Sequence, residues 1–111
     1  MDGKTDKILT KIKQNFKNNR SAQFLGKCIE VIGNEERFNI LNLLKSKAYS
    51  VTELESILNR NKSSISHHIK ILERRGLIKG TKNGKFIEYT VLKEHFLKLT
   101  DAWNEWFEFV A

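Results

Sequence analysis

Ser66, His67 and His68 stand side by side, with Lys70, Arg74 and Arg75 close behind. A serine next to a histidine invites a nucleophile-and-base reading. Adjacent helical residues do not face one another, however, and no third group is placed to orient the imidazole. Neither histidine has a second histidine or glutamate at the spacing of a helical metal motif. No enzymatic activity, metal site or other cofactor is therefore expected. Serine and histidine instead offer hydrogen bonds to the edges of bases, while lysine and arginine neutralise phosphates.

The charge distribution points the same way. A net charge of +7 is carried unevenly by 111 residues. Residues 1 to 20 hold six Lys or Arg against two acids, and residues 60 to 85 hold eight against Glu73 alone. From Phe86 onward the sign reverses, with five acids against two lysines. Positive charge clustered in this way attracts a polyanion, whereas an even spread would only keep the chain soluble. The length fits one domain, and we read residues 1–20 as a basic helical arm and 21–111 as the domain proper.

Cys28 is the only cysteine and lies in the apolar run Phe24, Leu25, Cys28, Ile29, Ile32. It is expected to be a small buried hydrophobe in a reduced compartment. No apolar run approaches membrane-spanning length, and Met1 to Lys7 lacks the apolar stretch of a secretory signal. The expected location is cytoplasmic, with no membrane partner.

Several local signals define the scaffold. Ile8, Ile12 and Phe16 recur every fourth position and predict a short amphipathic helix. Asn18 to Ser21 interrupts it before a second helix from about Ala22 to Ile32, closed by Gly33 as a left-handed cap. Asn34 caps a third helix with Glu35 and Glu36 in its first turn, Lys45 and Lys47 near its end, and Phe38, Leu41 and Leu44 as its buried stripe. Ser50 and Glu53 have the spacing of a capping box and open a helix from Val51 to Leu58. After a polar turn at Asn59 to Asn61, Asn61 caps a helix from Lys62 to about Arg75, which Gly76 ends. Two short helices so joined predict a helix-turn-helix.

Leu77 to Thr81 and Phe86 to Val91 read as strands, with Asn83-Gly84 as a two-residue hairpin turn. From Leu92 the pattern is helical again. Leu92, Phe96, Leu99, Trp103, Trp106 and Val110 alternate four- and three-residue steps, the heptad spacing of an apolar seam. Such a seam is more apolar than a small monomer leaves wet, so these six residues are the expected dimer interface, the alternative being that they pack back onto the N-terminal helices of the same chain. The fold class is mainly α with a small β-hairpin (α+β), built around the helix-turn-helix.

On the helix after Asn61, Ile65, Ile69 and Leu72 share one face, while Ser63, Ser66, His67, Lys70 and Arg74 share the other. His68 falls nearer the packed side. The helix start carries Asn61, Lys62, Ser63 and Ser64, where free amides and the positive dipole end favour a phosphate. Lys79, Lys82, Asn83 and Lys85 lie on or near the hairpin, within reach of a duplex backbone or minor groove. These twelve residues are the expected DNA-binding set.

The chain resembles the ArsR/SmtB family of winged-helix transcriptional repressors over roughly Phe24 to Val91. The similarity rests on Ile32-Gly33-Asn34-Glu35-Glu36-Arg37-Phe38-Asn39-Ile40-Leu41, on Ser50-Val51-Thr52-Glu53-Leu54, and most specifically on Ser63 through Leu72 followed by Arg75-Gly76-Leu77-Ile78. The resemblance implies a winged helix-turn-helix that forms a homodimer through its terminal helices on an imperfect inverted repeat, with Lys62, Ser63, Ser64, Ser66 and His67 reading the DNA. It departs from the family in sensing. Thr52 to Ile57 holds no cysteine pair, and His95, Asp101, Glu105 and Glu108 on the last helix lack the pairing that metal-binding relatives use. The expected function is a sequence-specific, double-stranded DNA-binding transcriptional regulator acting as a repressor, with its effector, small molecule or protein, unknown. Two rival readings of the same fold are a plasmid or viral DNA segregation adaptor and a winged-helix module that binds protein.

Overall fold

A computed structural model describes residues 3–108, so Val110 of the expected seam lies outside the described residues. The chain runs α1 (Gly3–Asn18), α2 (Arg20–Ile32), α3 (Glu35–Ser46), β1 (Tyr49–Ser50), α4 (Val51–Leu58), α5 (Lys62–Arg74), β2 (Ile78–Asn83), β3 (Phe86–Val91) and α6 (Lys93–Phe107). The strands form one antiparallel sheet in the order β1-β3-β2.

Side-chain caps fix where the helices begin. Asn19, Asn34 and Asn61 each accept a hydrogen bond from the backbone N–H three residues on, opening α2, α3 and α5. Ser50 and Glu53 form a complete capping box at α4. Each such cap satisfies one of the amides a helix start leaves unpaired and contributes about 1 kcal/mol. Asn59, at φ 52°, takes the left-handed conformation that ends α4, and its short polar side chain tolerates that region. Asn59 and Asn61 together set the helix-turn-helix corner.

At the end of α5, Gly76 N–H donates to Glu73 O at 2.9 Å and Leu77 N–H donates to Leu72 O at 3.1 Å. With Gly76 at φ +75°, this is a Schellman ending, flanked by two fully buried leucines of the same core cluster, Leu72 and Leu77. The chain leaves it directly into β2. Leu92 N–H then donates to Leu77 O at 2.8 Å, clipping the start of α6 to the same point.

Cys28 of α2, Ile40, Leu41 and Leu44 of α3, Leu54 of α4, and Ile65, Ile69 and Leu72 of α5 form the core with Leu77, Ile78 and Tyr89. Burying each large aliphatic stabilises the fold by roughly 1.5–3 kcal/mol.

The structure corrects four expectations. Gly33 is right-handed (φ −67°) and its N–H donates to Ile29 O at 2.8 Å, so α2 closes without a left-handed cap. Phe38 is 50% exposed; the inward face of α3 runs through Ile40, Leu41 and Leu44. Arg37 takes the inward position instead, its Nε donating to Val31 O at 2.7 Å. The hairpin turn is Gly84-Lys85, because Asn83 stays extended and pairs with Phe86. Only Gly84 of that turn has positive φ (+62°), which suits a two-residue loop with glycine first. Finally, the sheet has a third strand, β1, that the hairpin pattern did not predict.

Candidate nucleic-acid interface

Packing of Ile65, Ile69 and Leu72 inward turns the opposite face of α5 to solvent. Asn61, Lys62, Ser63, His67, Lys70 and Arg74 are exposed there, and Ser66 is half-buried. Ser64 is also half-buried, and its Oγ donates toward Glu36 Oε2 at 3.4 Å. The Asn61 side chain is engaged as the cap of α5. Lys79, Lys82, Asn83 and Lys85 are exposed on the β2-β3 hairpin, where Asn83 Nδ2 donates to Glu88. The structure thus brings the exposed cations of α5 onto one helix face, while the remaining lysines sit on the adjoining wing.

His68 lies on the other side of the boundary, 8% exposed. Its Nε2–H donates to Glu36 Oε2 at 2.5 Å, and Arg37 Nη1 donates to its Nδ1 at 3.3 Å. Both contacts are satisfied together by the neutral imidazole carrying its proton on Nε2. Glu36 also pairs with Arg60 Nε at 3.0 Å. The hydrogen bond from His68 is the first cause holding the Glu36 carboxyl below its ordinary range, with Arg60 and the Ser64 hydroxyl adding and partial desolvation opposing.

Glu36 is the residue that sequence reasoning missed. It ties α3 to the N-terminal half of α5 and to the corner before it, fixing the angle at which the exposed face is presented. In sequence it carried only the signal of a first-turn acid.

On α6, Phe96 and Leu99 are half-buried against the chain's own core, and Leu92 precedes the helix as its cap position. Trp103, Trp106 and Phe107 are 44%, 47% and 41% exposed. An apolar cavity of about 390 Å³ opens between α2 and α6, lined by Leu25, Ile29, Ile32, Leu99 and Trp103. Burial raises the Cys28 thiol above its ordinary range, with Arg75 opposing weakly. Among the described residues no group of three or more His, Cys, Asp or Glu side chains could hold a metal ion, and no helix is long and apolar enough to cross a membrane.

Residues 34–79, which span the helix-turn-helix and the start of the wing, match the family described as bacterial regulatory protein, arsR family. The transcriptional activator HlyU of Vibrio cholerae is 35% identical over 75 residues, covering 68% of this chain and 67% of that protein. The transcriptional repressor SdpR of Bacillus subtilis is 34% identical over 62 residues, covering 56% of this chain and 69% of that protein. Among solved structures, an ArsR-like transcriptional regulator from Rhodococcus sp. RHA1 superimposes with a TM-score of 0.70 over 75% of this chain and 78% of that one. At 24% identity it speaks for the fold alone.

Proposed function

This chain belongs to the arsR family of bacterial regulatory proteins, and from that premise we propose that it represses transcription as a homodimer seated on an inverted-repeat operator. It is a DNA-binding transcriptional regulator with a winged helix-turn-helix fold, and its chemistry is recognition, not catalysis. The observation that carries the operator reading is the outward face of α5, where Lys62, Ser63, His67, Lys70 and Arg74 are all exposed beside a wing bearing three lysines.

On this reading α5 enters the major groove. Ser63, Ser66 and His67 meet base edges, while Lys62, Lys70 and Arg74 take phosphates. Lys79, Lys82 and Lys85 bring the wing against the neighbouring backbone. Serine and histidine make few bidentate base contacts, so selectivity relies on two half-sites and on DNA shape. Asn61 and Ser64 serve mainly to hold the start of α5, where backbone amides face a phosphate.

The test is binding to operator fragments selected from a random library, measured against salt. With on the order of six phosphate contacts per dimer, affinity should fall about a thousandfold between roughly 50 and 200 mM salt. The selected sites should be two-fold symmetric, with half-sites about one helical turn apart. A flat salt response, or asymmetric single sites, would overturn the reading.

A further inference from the structure

The first two residues of β3 beyond the Gly84-Lys85 turn are Phe86 and Ile87, which are 49% and 50% exposed. Successive strand residues point to opposite faces of a sheet, and residues directly paired across a hairpin share a face. Ile87 therefore shares its face with its partner Lys82 and with Gly80, Tyr89, Ile78 and Val91. Phe86 shares the other with Asn83, Thr81 and Glu88. The tip of the wing thus carries one bulky apolar side chain on each side, among lysines and an asparagine.

Ile87 is firmly seated. A Cβ at Gly80 would come 2.7 Å from Ile87 Cγ2 and 3.0 Å from Tyr89 Cε1, so both side chains lie over the bare backbone of Gly80. Glycine inside a strand weakens it and marks a place of close approach. Here it makes a bed for an isoleucine. Tyr89 and Ile78 belong to the core that also holds Ile69 and Leu72 of α5, so Ile87 is the outermost member of an apolar row rooted beside that helix. Its β-branched side chain has little rotamer freedom left to lose when the exposed half is covered.

Charge distinguishes the two faces. None of the six hairpin residues on the Ile87 face is an acid, Lys82 stands directly opposite Ile87, and Lys85 lies in the turn. Phe86, by contrast, borders an open cavity of about 540 Å³ that Glu53 and Glu88 also line. Two carboxylates repel a phosphate-rich partner from that side, while the lysines attract one to the other. An apolar tip between cations suits a narrow slot floored by bases and walled by phosphates, which is the minor groove of a duplex. The chain passes from α5 into β2 through Arg75, Gly76 and Leu77 alone, so a duplex lying on the outward face of α5 continues past the wing.

We propose that Ile87 is a wedge: it enters the minor groove next to the α5 site, partly unstacks one base step and bends the operator. Apolar side chains inserted in this way kink a duplex by about 20–90° toward the major groove. The proposal rests on the reading that α5 occupies the major groove, and it adds a specificity-determining residue. Unstacking is easiest at the flexible pyrimidine–purine steps, TA and CA/TG. The wing therefore selects sequence without a hydrogen bond to any base.

The full chain on duplexes carrying a selected operator tests it, with 2-aminopurine replacing adenine at successive steps and a fluorophore pair at the duplex ends. For the wild type, 2-aminopurine emission should rise at one pyrimidine–purine step per half-site, and energy transfer should report a bend of at least about 20°. Replacing that step by GC should weaken binding about tenfold. Ile87→Ala should abolish the emission change and the bend and reduce the tenfold preference to within about twofold. Its salt slope should stay at the wild-type value, because no phosphate contact is removed. Ile87→Thr keeps the β-branch and strand propensity and should behave as Ile87→Ala, so a folding defect in the alanine variant cannot hide the result. Phe86→Ala trims the opposite face and should match the wild type in every readout. Salt-sensitive binding with no emission change or bend, an Ile87→Thr variant equal to the wild type, or a loss that follows Phe86 would each overturn the wedge and leave the α5 reading standing. A chain that binds no duplex removes both.

Discussion

His68 and Glu36 meet at 2.5 Å across the joint between α3 and α5, although 32 residues separate them in the chain. The bond places a carboxylate on the inner side of the helix whose outer side is cationic, and it locks that helix without spending any of its exposed groups.

The pair makes the joint sensitive to acid. Because the folded protein holds the Glu36 carboxyl below its ordinary value of 4.5, this group's contribution to stability is present above pH 4.5 and is lost as pH falls through the lowered value. Thermal melts should therefore lose stability as pH drops below 4.5. Glu36→Gln should flatten that decline and lower the melting temperature at neutral pH.

His67 faces solvent one position before the buried His68, and the two rings sit 5.5 Å apart. His67→Ala should reduce discrimination at one base position by about 1 kcal/mol, the low end for a base contact, with a smaller change in total affinity. Competition between selected and singly mismatched duplexes measures both. Equal losses on every duplex would show that His67 touches backbone only.

Two glycines should respond differently to the same substitution. At Gly84 an added Cβ meets no atom within 4 Å, so Gly84→Ala should cost only the left-handed backbone penalty, about 1–2 kcal/mol. At Gly76 the Cβ would come 2.9 Å from His95 Nε2 as well, so Gly76→Ala should lower the urea midpoint further. Adding His95→Ala should recover the excess and leave the backbone share.

Cys28 is fully buried, and burial raises its thiol above its ordinary value of 9.0. Ellman's reagent should label the native protein at the rate of unfolding, with urea accelerating it. Fast stoichiometric labelling without denaturant would contradict this burial.

Much of the scaffold was legible because its punctuation is local. Ser50 with Glu53, and Asn61 before an apolar period, are complete within four residues and fix α4 and the start of α5 as observed. The exposed cations of α5 could likewise be placed on one face by helical spacing alone. What could not be read depends on distance in the chain. Glu36 earns its role from Ser64, His68 and Arg60, and no spacing rule joins them. Phe38 gave up the inward face because Arg37 found a carbonyl at Val31 and an imidazole nitrogen at His68, neither visible from α3 itself. The two-residue strand β1 is too short to carry a period, and the turn moved by one residue because Asn83 kept its pairing with Phe86.

The backbone bond from Leu92 to Leu77 leaves no slack between the helix that ends the chain and the exit of the helix that faces solvent. Any tilt of α6 is therefore delivered to the foot of the wing as leverage, undiluted by a loop. In a molecule paired through α6, this latch would couple the pairing helix to the wing and to the exit of α5.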